Sequence, residues 1–421
     1  MNKHLMRARM SLLVMACSLP AISFAASNTA VIPNESKTSL TLKQALQLTL
    51  DKNPELGLYP LYVRQIEGEA QQSAINPIPV ADAELRNDEA TLTLSQSFEL
   101  GGKRQSRIGF SNAKQQQLQA EFAIARLDVL AETSRRYYQL LALQKQKALL
   151  QTRVGQEKRA LKIINKRAQA GAITQADVSN MALRLARSNN TLEQLQFSIK
   201  SEKNRLAAMW LETTPKFAAI NGKLSRLPKL PNAKQLAASI DQQLEQLPDY
   251  RLQVALLRLA DSQVQLEQAN GRANIDLGIG IAHNRNKGGQ SLVFTAAMPL
   301  SFSNPNRGRI NSALAQQQLS LEQVEIKRGE LQIELTHIQQ NLAKDQHLAR
   351  QIKTQLLPLA IDLLSNTQKA YRQGQYTVLQ WIDAQNQVFN LEQDLINSQV
   401  RIFNQVLELE RILGQSIVSA Q

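Results

Sequence analysis

The sequence predicts a mainly α-helical chain with a small β part, in which a unit of helix, β-hairpin and two long helices is written twice. Three observations predict it. First, the chain matches itself at an offset of about 203 residues: Gly171 falls on Gly374 and Thr174 on Thr377, and the stripe Leu185, Leu192, Ile199, Leu206 falls on Val388, Leu395, Ile402, Leu409. Second, no proline stands between Gly102 and Gly171, while Leu127, Leu130, Tyr137 and Leu141 recur at helical spacing. Third, apolar and polar residues alternate in only a few short stretches, placed alike in the two copies.

Taken in order, the N-terminus carries Lys3, Arg7 and Arg9 before a short apolar run at 11–19, then Ser23-Phe24-Ala25. This is the pattern of a signal peptide over residues 1–25 cleaved after Ala25. The run is too short to span a bilayer, which takes about 20 residues as a helix. Val14-Met15-Ala16-Cys17 resembles a lipobox, so a second reading leaves Cys17 as a lipidated first residue. The expected organisation continues with an N-terminal extension at 26–39, a first repeat at 40–214 and a linker at 215–232 marked by Pro215, Pro228 and Pro231. A second repeat at 233–414 and a tail at 415–421 complete it.

Within the first repeat, Leu92, Leu94, Phe98 and Leu100 alternate with Thr91, Thr93, Ser95, Ser97 and Glu99, a strand over 90–100. A weaker partner is expected over 80–86, with a turn at Asn87-Asp88. The second repeat offers Ile275, Leu277, Ile279 and Ile281, a turn over 284–289, and then Leu292, Phe294, Ala296, Met298, Leu300 and Phe302 on one parity. Arg107-Ile108 matches Arg309-Ile310 at an offset of 202, whereas Asn53-Pro54 matches Leu247-Pro248 at 194. The slip places an insertion between them, expected in a longer second loop. The segment between Gly102 and Gly171 is about 100 Å long as a helix. The two glycines mark where one long helix turns back into the next, sustained three-four spacing predicts coiled-coil packing, and Pro358 predicts a break or kink.

Composition narrows the function. Cys17 is the only cysteine, and the remaining histidines and methionines stand at no ligand spacing, so no metal site, cofactor or disulfide is expected. The net charge of +14 falls to about +11 without Lys3, Arg7 and Arg9, and with an export signal and few aromatics it reads as a solvated basic surface, not a nucleic-acid site. Gly101-Gly102-Lys103-Arg104 lacks the spaced glycine of a phosphate loop and reads as a strand-to-helix elbow. No nucleophile–base pair or metal triad suggests an enzyme. Two-faced strands of about ten residues suit a transmembrane β-barrel; the other reading is a small soluble sheet capping a coiled coil. Four strands cannot close one, so the subunit is expected to form a ring: three copies give twelve strands, and a tetramer is the other possibility. The helices then form a tube reaching into the periplasm.

Ser97-Phe98-Glu99-Leu100-Gly101-Gly102-Lys103-Arg104, and the segment from Pro299 to Gly308, resemble the two strand-to-helix elbows of the TolC-like outer-membrane efflux proteins. The Glu-Leu-Gly-Gly-Lys-Arg run is most similar to the heavy-metal cation (CzcC-like) branch. The resemblance covers about residues 40–414 and implies a homotrimer with a shared twelve-stranded β-barrel in outer-membrane lipid, a trimeric α-helical barrel and an equatorial belt. It also implies a periplasmic adaptor (membrane fusion protein) and an inner-membrane resistance-nodulation-division pump as partners. The implied function is an efflux exit duct for heavy-metal cations; the alternatives are a multidrug or organic-solute duct, or a periplasmic coiled-coil adaptor. The family narrows its pore near the helical turns, in a pattern resembling G-x-x-[ST]-x-x-D-x-x-D-A. Here Gly374, Thr377, Asp383 and Ala384 match it while Gln380 departs, and Gly171, Thr174 and Asp177 match it while Asn180 departs. The resemblance thus makes Asp177, Asp383 and Gln380 pore-constriction candidates, and Gly171, Thr174, Gly374 and Thr377 adaptor contacts. The other reading of Asp177 and Asp383 is as first-turn acids favoured by the helix dipole.

Overall fold

The computed structural model describes residues 39–224, 243–286, 288–300 and 304–415. The expected signal peptide, Cys17, the linker beyond 224 and Phe302 lie outside the described residues.

Local chemistry sets the helix starts. Thr41 opens α1 (Leu42–Lys52) with a capping box, its hydroxyl accepting from the Gln44 amide while the Gln44 side chain accepts from the Thr41 amide. Asn53 caps α2 (Pro54–Ser73) by accepting from the Glu55 and Leu56 amides, and Pro54 occupies the first turn, where a missing amide costs nothing. Two hairpins follow these leading helices. The first is β2 (Val80–Leu85) with β3 (Glu89–Phe98), the second β5 (Ile275–Asn284) with β6 (Gly289–Ala297), and together they make one antiparallel sheet in the order β2-β3-β5-β6.

The register puts Leu92 opposite Ile281 and Ile281 opposite Leu292, with Leu94, Ile279 and Phe294 aligned in the next row. All six are more than half exposed, so this face of the sheet is apolar and uncovered by the described residues. The other face presents Thr93, Gly280 and Val293, then Ser95, Gly278 and Thr295. A Cβ at Gly280 would lie 2.5 Å from the Leu92 carbonyl oxygen, which accounts for glycine there.

Two expectations need correction here. Strand β6 stops at Ala297 opposite Asp276, although β5 runs one residue further to Ile275, which pairs only with Phe98 of β3; Pro299 has no amide to donate. Met298 and Leu300 continue the parity but not the strand. Nor is the extra length of the second copy gathered in one loop. It is divided between a longer first strand (10 residues against 6), a turn at 285–288 against 86–88, and a sheet-to-helix connection at 298–306 against 99–102.

The long helices are α3 (Lys103–Gln169) and α4 (Gln175–Ala208) in the first half. In the second half α5 (Pro248–Asn270) leads the hairpin, followed by α6 (Arg307–Gln351), α7 (Leu357–Arg372) and α8 (Val378–Leu413). At 67 residues α3 is about 100 Å long. Pro358 does not break its helix. One π turn, Ile352–Leu356, joins α6 to α7, and this wider turn makes room for the proline ring beside the preceding carbonyls. At the sheet end α3 packs between α2 and α5, and α5 against α6; at the other end α3 packs between α4 and α8, and α8 against α7.

The core is a string of clusters along these helices. Midway, β1 (Ser39–Leu40) pairs in parallel with β4 (Ala219–Ile220) over Tyr137, Leu140, Trp210 and Phe403. The Tyr137 hydroxyl donates to the Leu40 and Asn221 carbonyls and so fastens both strands to α3; burial pushes its pKa up to about 12. Among the described residues, no helix is long and apolar enough to cross a membrane.

Candidate functional site

The candidate site is the end of the helices farthest from the sheet, where α3 turns into α4 and α7 into α8. Both turns are built alike. Gly171 and Gly374 take positive φ of 73° and 77°, the left-handed conformation that ends a helix without a Cβ clash. The Ala172 amide then donates to the Arg167 carbonyl, and the Gln375 amide to the Ala370 carbonyl, both at 2.9 Å. Thr174 and Thr377 start the return helices as N-caps.

Each threonine forms a capping box with the residue three places on. Thr174 donates from its amide (3.2 Å) and hydroxyl (2.7 Å) to the Asp177 carboxylate, and its hydroxyl accepts from the Asp177 amide. Gln380 does the same for Thr377, its amide oxygen accepting at 2.8 and 3.1 Å. Position for position, the neutral Gln380 does the work of the Asp177 carboxylate. Asp383 stands apart from this device. It is exposed on α8, and its charge acts on Arg184 of α4.

Sequence reasoning missed the buried centre between the hairpins. Glu157, with 2% of its side chain exposed, pairs with Arg153 (2.9 Å) and with Arg184 across the turn (3.1 Å). Both arginines also donate to the Asn386 side-chain oxygen on α8. Burial lowers the Arg184 pKa, opposed by Glu157. The signal was present: Glu157 and Arg184 lie almost equally far on either side of Gly171, so an antiparallel hairpin must bring them together. Closer to the turn, Tyr371 stacks on Trp381 (5.2 Å between centroids). Arg167 lies over the same tyrosine ring and donates to the Tyr371 and Arg372 carbonyls.

The elbows at the sheet end are less alike than the turns. Gly101 and Gly102 both have positive φ, and the Lys103 ammonium donates to Asn274 at 2.5 Å. In the second copy the turn is made by Asn304, whose side chain accepts from the Asn306 amide, and by Asn306, which donates to the Glu267 carbonyl and carboxylate. Pro299 lies in the irregular connection. Gly308, expected at the elbow, is instead inside α6, with no positive φ and open space around it. Among the described residues, no group of His, Cys, Asp and Glu is placed to hold a metal ion.

Residues 40–210 match the family model described as "Outer membrane efflux protein". The chain is 24% identical over 390 residues to the cobalt-zinc-cadmium resistance protein CzcC of Cupriavidus metallidurans, covering 91% of this chain and 92% of that one. Its fold is similar to that of the outer membrane protein VceC from Vibrio cholerae (TM-score 0.74, 19% identity, 89% of this chain and 96% of that one). It is also similar to CusC (TM-score 0.72, 18% identity, 89% and 92%), whose structures concern transmembrane channel formation. The chain thus resembles the outer membrane efflux proteins over residues 40–210, and it shares the fold of these solved structures over about nine-tenths of its length.

Proposed function

We propose that this protein is the outer-membrane exit duct of a tripartite efflux system and conducts its cargo passively. The observation that carries the reading is the sheet. Its apolar face is uncovered, its outer strands β2 and β6 are each paired on one side only, and it runs directly into helices about 100 Å long. A face of Leu, Ile and Phe suits lipid, and the opposite face of Thr, Ser and Gly suits a wet lumen. Unpaired strand edges are not tolerated in hydrocarbon, so β2 of one copy pairs with β6 of the next. The four strands alternate in direction, so that junction is antiparallel as well, and three copies close a barrel of twelve. The same ring buries the exposed Leu58, Leu61 and Tyr62 of α2 against the exposed Leu314, Leu319 and Ile326 of α6.

The tube of helices then reaches through the periplasm to an adaptor and an inner-membrane pump of the resistance-nodulation-division type, which supplies the energy. The resistance named for the relative CzcC favours heavy-metal cations as cargo. A deletion strain challenged with zinc, cobalt, cadmium, copper, silver and several organic drugs tests this. Sensitivity to the divalent metals alone is expected, and sensitivity confined to organic compounds would make the duct a multidrug one. Asp383 is the carboxylate free to narrow the lumen, since Asp177 is held in its cap. Asp383→Ala is expected to raise single-channel conductance in planar bilayers and to weaken block by trivalent cations; unchanged conductance and block remove that role.

A further inference from the structure

The two elbows and the end of α5 meet where the sheet gives way to helices. The Lys103 ammonium donates to Asn274 at 2.5 Å, a Cβ on Gly101 would strike the Arg272 side chain, and Asn306 donates to the Glu267 carboxylate at 2.8 Å. On the other flank the Arg104 guanidinium donates to the Ala74 carbonyl (2.6 Å), at the end of α2. These contacts form one belt from α2 to α6, and it is basic. Residues 99–107, 267–274 and 298–310 hold six Lys and Arg against two carboxylates. Both carboxylates are taken. Glu99 accepts both arms of Arg107, at 2.5 and 2.9 Å, and Glu267 accepts from Gln263 and Asn306. Lys103 and Arg104 hydrogen-bond only to neutral acceptors, and Arg272, Arg307 and Arg309 have no ion pair among the described residues.

The belt borders the apolar face that the described residues leave uncovered. Phe98 and Leu100 carry that parity down to the first elbow, Met298 and Leu300 carry it toward the second, and all four are exposed. Exposed Ile75 lies beside Arg107, which donates to its carbonyl at 3.2 Å. From the hairpin turns to the belt the apolar face has about the height of one hydrocarbon core, roughly 25 Å for strands tilted as in a barrel. Cations without counter-ions at the foot of a lipid-facing wall lie level with the phosphates of the leaflet nearer the helices.

We propose that this belt, through Lys103, Arg104, Arg272, Arg307 and Arg309, binds the phosphate headgroups of anionic phospholipid in the periplasmic leaflet of the outer membrane. The acyl chains then lie on Leu100, Met298 and Leu300. The inference rests on the barrel reading and deepens it, because it names the lipid, its leaflet and the residues that hold it. The basic charge that the sequence shows as a solvated surface is, at the elbows, a lipid contact that fixes how deep the sheet sits.

The test uses the full chain as its purified oligomer, reconstituted into phosphatidylcholine vesicles with a trace of spin-labelled phosphatidylglycerol or spin-labelled phosphatidylcholine. Electron spin resonance reads how strongly each label is held at the protein surface. Phosphatidylglycerol is expected to be held about fivefold more strongly, and to lose most of that preference at roughly 1 M salt. Arg307→Gln with Arg309→Gln should lower the preference to under about twofold, and Arg307→Lys with Arg309→Lys should keep it. Arg285→Gln, at the hairpin turn across the apolar band, should change nothing. Equal holding of the two labels, full preference in the double glutamine variant, or an equal loss in Arg285→Gln overturns the proposal. So does competition by inorganic phosphate beyond that of sodium chloride at the same ionic strength, which would make the belt a site for the free anion. Planar-bilayer conductance of the same preparations separates the two readings. Conductance without lipid preference removes the belt and leaves the duct; lipid preference without conductance removes the duct alone.

Discussion

Glu157 shows how one residue holds two hairpins together. Its carboxylate is almost wholly buried and compensates two arginines from different helices, and the Asn386 side chain extends the network to a third. Glu157→Gln keeps the shape but leaves both guanidinium groups uncompensated, so it is expected to cost about 3 kcal/mol. Thermal unfolding of the purified protein, followed by circular dichroism, checks this; no fall in the midpoint would mean that the pair carries no net stability. Asp345 of α6 repeats the device, with Arg401 at 3.0 Å and Gln405 at 3.0 Å from α8. At the first elbow the two glycines are not equivalent, though both have positive φ. A Cβ on Gly101 would meet Arg272, while Gly102 has nothing within 4 Å. Gly102→Ala is therefore expected to cost about 1 kcal/mol for the backbone alone, and Gly101→Ala clearly more. Equal losses in a denaturant titration would show that Arg272 yields freely.

Among the elements, the sheet and the long helices were legible in the sequence to different degrees. Helices α3 and α4 were plain because a proline-free stretch with a three-four stripe admits little else. The end of β6 was not, because alternation continues through Met298 and Leu300 while the pairing with β5 ends at Ala297. Alternation records the two faces of a segment, and only a neighbouring strand decides where a ladder stops. Pro358 was visible as a perturbation, but whether a helix breaks or absorbs it through a π turn depends on the packing that holds its two ends in line. The two faces of the sheet give the prediction at this scale. Ile279→Arg on the apolar face is expected to cost about 2–4 kcal/mol near the membrane midplane and to reduce heat-modifiable oligomer in outer-membrane fractions. Thr93→Arg on the opposite face should leave insertion intact and alter conductance. The reverse pattern would exchange lumen and lipid.

For the whole molecule the decisive property is that β2 and β6, the outer strands of the described sheet, each pair on one side only. Its two edges belong to different copies of the repeat: β2, α2 and α4 on one side, β6, α6 and α7 on the other. In the proposed ring such a unit would pair head to tail, and the ring would close when the curvature of the sheet allows. Cross-linking of native membranes is expected to give a ladder ending at three; an end at four would change the barrel to sixteen strands. The sequence by itself determined the duplication, the long helices, the alternation of the strands and the glycine turns, because these depend on residues near one another along the chain. It also carried the resemblance to efflux proteins through two elbow segments and two turn motifs. Only the tertiary structure decided that Asp177 and Gln380 are matched caps, that Gly308 is helical, and that Glu157 is buried between two arginines. Those depend on which surfaces meet after the helices fold back, and a charge that looks solvated on a helical stripe becomes buried only when another helix covers it.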